Sequence, residues 1–311
     1  MSDDTDPKPA SFSGRLQLRD FMHVEEPSPV RRSPRNMSTT TAMTPPLPRP
    51  SPSPSPSKRK SPSVPSTNTS SKRSRPSSSR KSSSYAPPST YAHLPPLPDA
   101  VAPNMLIYFV GLNPGLQTAA TGHAYAHPSN LFWKLLHSSG ITPDRLVPAT
   151  EDRELPARYA CGFTNIVSRP SRNGAELSRA EMDAGVAALE AKAARWRPEV
   201  MCIVGKSIWE SIFRVRRGRG LRKGEFAYGW QDEAENMGVG VDPAAVEALG
   251  TGPGPEVDEE VPWAGARVFV ASSTSGLAAT LSPAEKEKIW NELGSWCQER
   301  REERAQSEAA L

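Results

Sequence analysis

The chain has 311 residues, with 38 Lys+Arg against 34 Asp+Glu and a formal net charge of +4. No run approaches the ~18 apolar residues of a membrane span, and the acidic start MSDDTDPKPA is unlike a secretory signal. Cys161, Cys202 and Cys297 stand alone with no CxxC pair, which argues against a disulfide framework or a cysteine-held zinc and for a soluble, intracellular protein.

Charge is divided unevenly. Residues 1–95 carry 15 Lys+Arg and 6 Asp+Glu, leaving 23 (38 less 15) and 28 (34 less 6) for residues 96–311, so a basic segment of +9 precedes a region of −5. From Pro27 to Pro95 the sequence is Ser/Pro/Thr-rich with almost no large apolar residue. Such a segment buries too little apolar surface to offset chain entropy, which predicts a disordered tail over 1–95. Its basic clusters, Arg31-Arg32, Lys58-Arg59-Lys60, Lys72-Arg73 and Arg80-Lys81, fit nuclear import or sequence-independent phosphate contact; the plainer alternative is a solvated basic linker. The folded domain is expected over 96–300, with a charged C-terminal tail at 301–311.

Along that domain, Met105 to Val110 is a continuous apolar run ended by Gly111, as expected of a strand covered on both faces. Ser129 to Ser139 predicts a helix behind Pro128, and GFTNIV at 162–167 a second strand. Ser178-Arg179-Ala180-Glu181 has the form of a capping box and opens a helix to about Trp196. VMCIV at 200–204 is a short buried strand turning through Gly205 into the helix IWESIF, and RVFVA at 267–271 is the last strand. A second capping box, Ser282 to Glu285, opens the final helix. Residues 231–262 hold nine acidic residues and no basic one, predicting a mobile surface insertion. Just before it, Arg214, Arg216, Arg217, Arg219, Arg222 and Lys223 suit either phosphate contact or pairing with that insertion.

Short buried strands alternating with helices predict a three-layer α/β/α fold around a short, mainly parallel sheet. Ligands in such sheets sit at the carboxyl ends of strands, so the turns at 111–115, 164–169 and 272–278 should converge. GLNPG (111–115) leaves the first strand through two glycines that permit close approach and a proline that fixes the turn. Asn113 at its crest offers an acceptor and a donor but takes no proton as a carboxylate does. By itself the turn also suits plain punctuation. Tyr125, in TGHAYAHP, is either a packing residue or a ring that stacks on a planar base. His123 and His127 have the spacing of a metal pair but no third ligand, and no metal site is expected. In SSTSGLAA (272–279), Leu277 is the only bulky group; it is either a core residue or an apolar wedge for a base stack.

Together GLNPGL, TGHAYAHPSNLFWKLLHSSGIT, CGFTNIVSRP, RPEVMCIVGKSIWESIF and SSTSGL, from about Leu106 to Trp296, resemble the mismatch-specific uracil/thymine-DNA glycosylases of the uracil-DNA glycosylase superfamily. The resemblance implies a hydrolase that flips uracil or thymine out of a G·U or G·T mismatch in double-stranded DNA and cuts its N-glycosidic bond without a cofactor; with the basic tail, a nuclear monomer is expected. It assigns Asn113 to the attacking water, and Gly115, Thr118, Tyr125 and Asn165 to the base. Leu277 fills the emptied stack, with Ser275, Gly276 and Ala278 around the orphaned guanine. Other repair or chromatin proteins would meet the tail. This chain departs from the family in having Ser273-Thr274-Ser275 where Asn-Pro-Ser or Met-Pro-Ser is usual, and Ala278-Ala279 where an arginine often follows the wedge. Thr118 is larger than the Ala or Ser common there, which implies that thymine is handled worse than uracil. Two rivals remain. One is a nucleotide-binding module, disfavoured because no helix start is expected directly after the glycines and no Lys-Ser/Thr follows them. The other is a mismatch-binding chromatin protein without catalysis.

Overall fold

The computed structural model describes residues 86–250 and 263–310. The predicted tail therefore lies outside the described residues over 1–85, while its last ten residues are described and include a 3-10 turn at Pro88–Tyr91.

The five strands are β1 (Ile107–Gly111), β2 (Cys161–Asn165), β3 (Val200–Val204), β4 (Gly229–Trp230) and β5 (Arg267–Ala271), in the sheet order β2-β1-β3-β5-β4. The first three and β5 run parallel, and β4 closes one edge antiparallel to β5. The helices are α1 (Leu116–Thr121), α2 (Phe132–Ser138), α3 (Leu155–Tyr159), α4 (Arg179–Trp196), α5 (Lys206–Arg217), α6 (Pro243–Glu247) and α7 (Pro283–Ala309).

Alternation along the strands places the helices. Ile107, Phe109, Cys202 and Phe269 pack on one side with Phe132 and Leu136 of α2 and Trp290 and Leu293 of α7. Tyr108, Val110, Met201, Ile203 and Val268 pack on the other with Val186 and Leu189 of α4 and Ile208 and Ile212 of α5. Successive side chains point to opposite faces, so strands apolar at every position require cover on both, and the fold is the expected three-layer α/β/α sandwich. Both capping boxes form: Ser178 accepts from the Glu181 N–H and Ser282 from the Glu285 N–H, with each glutamate returning to the cap.

Four expectations are corrected. Helix α2 starts at Phe132 instead of 129, because Asn130 Oδ1 accepts the Phe132 N–H at 3.0 Å and holds the preceding turn non-helical. α1 starts at Leu116, directly after Gly115, where no helix start was expected; six residues with no apolar stripe carry little periodic signal. Within the insertion predicted mobile over 231–262, the described part is tied to the domain. Met237 is fully buried, and Glu235 pairs with Arg216 and Arg217, which resolves those two arginines toward the acidic segment. Its residues 251–262 lie outside the described residues. Finally, the segment 301–311, expected as a tail, continues α7 to Ala309. Arg301 donates to the carbonyls of Ile141 and Tyr159, and Arg304 pairs with Glu199.

Candidate active site

Parallel strands β1, β2, β3 and β5 end on one edge, and the loops that leave them enclose a crevice of about 850 Å³. Asn113, Gly115, Thr118, Tyr125, Asn165, Ser275, Gly276, Leu277 and Ala278 all line it. Residues separated by more than 160 positions are thus brought together by strand order alone.

The loop after β1 is zipped to the segment after β2. Ile166 N–H donates to Gly111 O (2.9 Å), Val167 N–H to Leu112 O (3.0 Å) and Ser171 N–H to Pro114 O (3.1 Å). Asn113 adds its side-chain Nδ2, which lies 3.2 Å from Pro114 O, 3.0 Å from Arg169 O and 2.8 Å from Ser171 Oγ. Turned over, the amide would set its oxygen against two carbonyl oxygens, so its orientation is determined by these partners. Among the described residues nothing donates to Asn113 Oδ1, which leaves an oriented acceptor at the crevice. Arg169 is itself held by Glu176 O (2.9 Å) and by Glu181, whose carboxyl is pulled down to about 2 chiefly by the Arg169 side chain.

Tyr125 stacks on the fully buried Phe132, with centroids 3.8 Å apart and planes at 14°, and Phe132 is in turn edge-on to Phe109. Phe132 thus occupies one face of the Tyr125 ring. The Tyr125 backbone is left-handed, at φ 52°, and its hydroxyl is buried with no hydrogen-bond partner among the described residues. The first feature costs roughly 1–2 kcal/mol and the second about 1–3 kcal/mol. The loop is held by the wholly buried Asp152, which accepts the Ala124 N–H at 2.7 Å and lies 3.1 Å from His123 Nδ1. His127 instead faces Ser129 Oγ at 2.8 Å, so the two histidines take separate partners. Asp152 carried no sequence signal, since it sits in a charged run that reads as surface.

Gly111 explains how the polar ends of Asn165 and Tyr125 meet. A Cβ there would stand 2.6 Å from Asn165 Oδ1 and 2.9 Å from Tyr125 Oη, so a bare backbone at the end of β1 lets both oxygens converge. Gly115 differs: a Cβ would meet nothing, and the glycine simply leaves the crevice open at the start of α1. Thr118, 6% exposed, borders the crevice from α1.

On the far side, Leu277 is 80% exposed, which settles its direction against the core alternative. An apolar side chain that projects from an otherwise small-residue loop marks a contact surface. Ser275 shapes the loop, its Oγ accepting the Leu277 N–H (3.2 Å) and its carbonyl the Ala278 N–H (3.0 Å). The Ala278 N–H is therefore turned inward, whereas Gly276 keeps its backbone groups unpaired among the described residues. Thr274 O accepts the Leu131 N–H, and Gly276 passes so close to Ser129 that a Cβ would lie 2.7 Å from that side chain's Cβ. Lys286, 6% exposed, donates to Ala278 O at 2.8 Å, so a lysine reaches the Leu277 loop from α7 although no arginine follows Leu277. Its signal was present: Lys286 stands in the buried stripe of Trp290, Leu293 and Cys297.

The profile of the uracil DNA glycosylase superfamily matches residues 98–294. This chain belongs to the uracil-DNA glycosylase superfamily. It is also 36% identical over 197 residues to a G/U mismatch-specific uracil DNA glycosylase of Schizosaccharomyces pombe, a match covering 63% of this chain and 51% of the yeast protein. The chain thus spans about half the length of that relative. All residues lining the crevice except Leu97 fall within the matched span. A helix does start after GLNPG, yet no Lys-Ser/Thr stands there, so the phosphate-loop alternative keeps no support.

Proposed function

We propose that this superfamily member is a monofunctional DNA glycosylase that hydrolyses uracil paired with guanine and leaves an abasic site. The observation that carries the proposal is the Asn113 amide, held by three acceptors so that Oδ1 faces the same crevice as Tyr125 and Asn165. A stacked base is reached only by flipping the nucleotide out, and a mispaired base is the least costly to extrude. The exposed Leu277 suits the vacated stack, and Asn113 Oδ1 suits a water that adds to the sugar C1′.

Among the described residues, no Asp or Glu lines the crevice. With no carboxylate base there, and with His127 Nδ1 engaged by Ser129 Oγ at 2.8 Å, the proposed enzyme works without a general base and forgoes the ~10²–10⁴-fold that such catalysis typically supplies. Most of the barrier is then lowered by donors aimed at the departing pyrimidine anion. The expectation is a slow enzyme suited to bases that leave readily. Thr118 borders the crevice from α1 and is larger than the Ala or Ser common there, so thymine in G·T is a poorer substrate than uracil in G·U; equal rates on the two duplexes would contradict this.

The test incubates G·U, G·T, A·U and single-stranded oligonucleotides with the protein and then with alkali. Strand breaks that disappear in Asn113→Ala support the enzyme. No breaks with any substrate, together with retained mismatch binding, support a non-catalytic mismatch-binding protein. We further propose that residues 1–95 take the protein to the nucleus and tether it to DNA electrostatically. Deleting them should weaken duplex binding and flatten its dependence on salt; unchanged low-salt binding refutes the tether, and undiminished nuclear accumulation refutes the import role.

A further inference from the structure

Tyr125 is singled out by a combination that base stacking leaves unexplained. Its ring already lies on Phe132, its backbone is left-handed, and its hydroxyl is buried without a partner. Buried polar groups are almost always paired, so an unpaired one that borders a crevice points to a ligand atom that completes it. The hydroxyl oxygen stands over Gly111 beside Asn165 Oδ1, both atoms within 3 Å of the same point, yet the two are not bonded to each other.

We propose that the Tyr125 hydroxyl donates a hydrogen bond to a ring carbonyl of the flipped pyrimidine and is therefore a catalytic residue for departure of the base. This rests on the glycosylase function proposed above. When the bond between C1′ and the ring nitrogen breaks, its electron pair leaves with the ring and spreads onto the ring carbonyls. Water supplies a hydroxyl to C1′, and its proton ends on the released base. A donor fixed at a carbonyl is worth more to the anion than to the neutral base, which is the condition for acceleration. Burial pushes the Tyr125 phenol up, so it remains protonated and able to donate.

Tyr125→Phe removes the hydroxyl and keeps the ring. The expected result on a G·U duplex is a single-turnover rate lowered by about 10²-fold, with duplex Kd unchanged and thermal stability equal or higher, since a buried unpaired hydroxyl is lost. On 5-fluorouracil, whose ring anion is more stable, the loss should be smaller. A Tyr125→Phe rate equal to wild type, or an equal loss on both bases, overturns the inference while leaving the glycosylase function in place. Wild-type protein that cleaves no substrate overturns both.

Discussion

Replacing Gly111 by alanine adds one methyl group at the point where the Asn165 and Tyr125 side-chain oxygens meet. The new Cβ would lie 2.6 Å from Asn165 Oδ1, about 0.8 Å short of the 3.4 Å at which ordinary contact begins, and 2.9 Å from Tyr125 Oη, about 0.5 Å short. Asn165 is the register partner of Gly111 across β1 and β2, so the backbone offers little relief and the two side-chain ends must move. Because these are side-chain atoms and not main chain, the stability cost should sit near the low end of overpacking, about 1 kcal/mol. For a domain of this size that is a melting shift of roughly 2–4 °C. Displacements approaching 1 Å in positioning groups cost far more in rate, on the order of 10²-fold. The assay is single-turnover cleavage of a G·U duplex, read as alkali-sensitive breaks, beside a thermal melt. A folded Gly111→Ala protein that cleaves at the wild-type rate would refute the convergence of Tyr125 and Asn165 on the base.

Two further perturbations separate local from global effects. Leu277→Ala should leave the melting temperature unchanged, because the side chain is 80% exposed, yet lower the G·U rate roughly tenfold, equivalent to about 1.4 kcal/mol of lost support for the extruded state; loss of stability in place of rate would return Leu277 to the core. Glu181, held at about 2 against an ordinary 4.5, contributes stability above pH 4.5 that fades as pH falls from 4.5 toward 2. Glu181→Gln should therefore melt lower than wild type at pH 7, with the gap closing through that window. A gap constant between pH 7 and pH 2.5 would sink the role of the Arg169 pair in holding the segment under Asn113.

The elements legible in the sequence were those with an unambiguous local signal. Apolar runs such as VMCIV are too short for helices and too continuous for exposed strands, and each coincides with or overlaps an observed strand. The capping boxes at Ser178 and Ser282 mark helix starts to the residue because their hydrogen bonds close within four positions. What escaped was either very short, like α1, α3 and the two-residue β4, or set by a distant partner. Glu235 and Arg301 read as solvated charges until the arginine and the carbonyls that hold them are placed beside them.

The same division runs through the site. Asn113, Tyr125, Asn165 and Leu277 were legible because residue type and turn chemistry are local properties, and together their motifs resemble one family. Which atom of Asn113 faces the crevice, why Gly111 must lack a side chain, that the Tyr125 hydroxyl is left unpaired, and that Lys286 grips the Leu277 loop were decided only by tertiary structure. Each depends on groups brought from 8 to 58 residues away, or from the opposite strand of a register, and hydrogen-bond geometry at that range has no expression in a linear pattern.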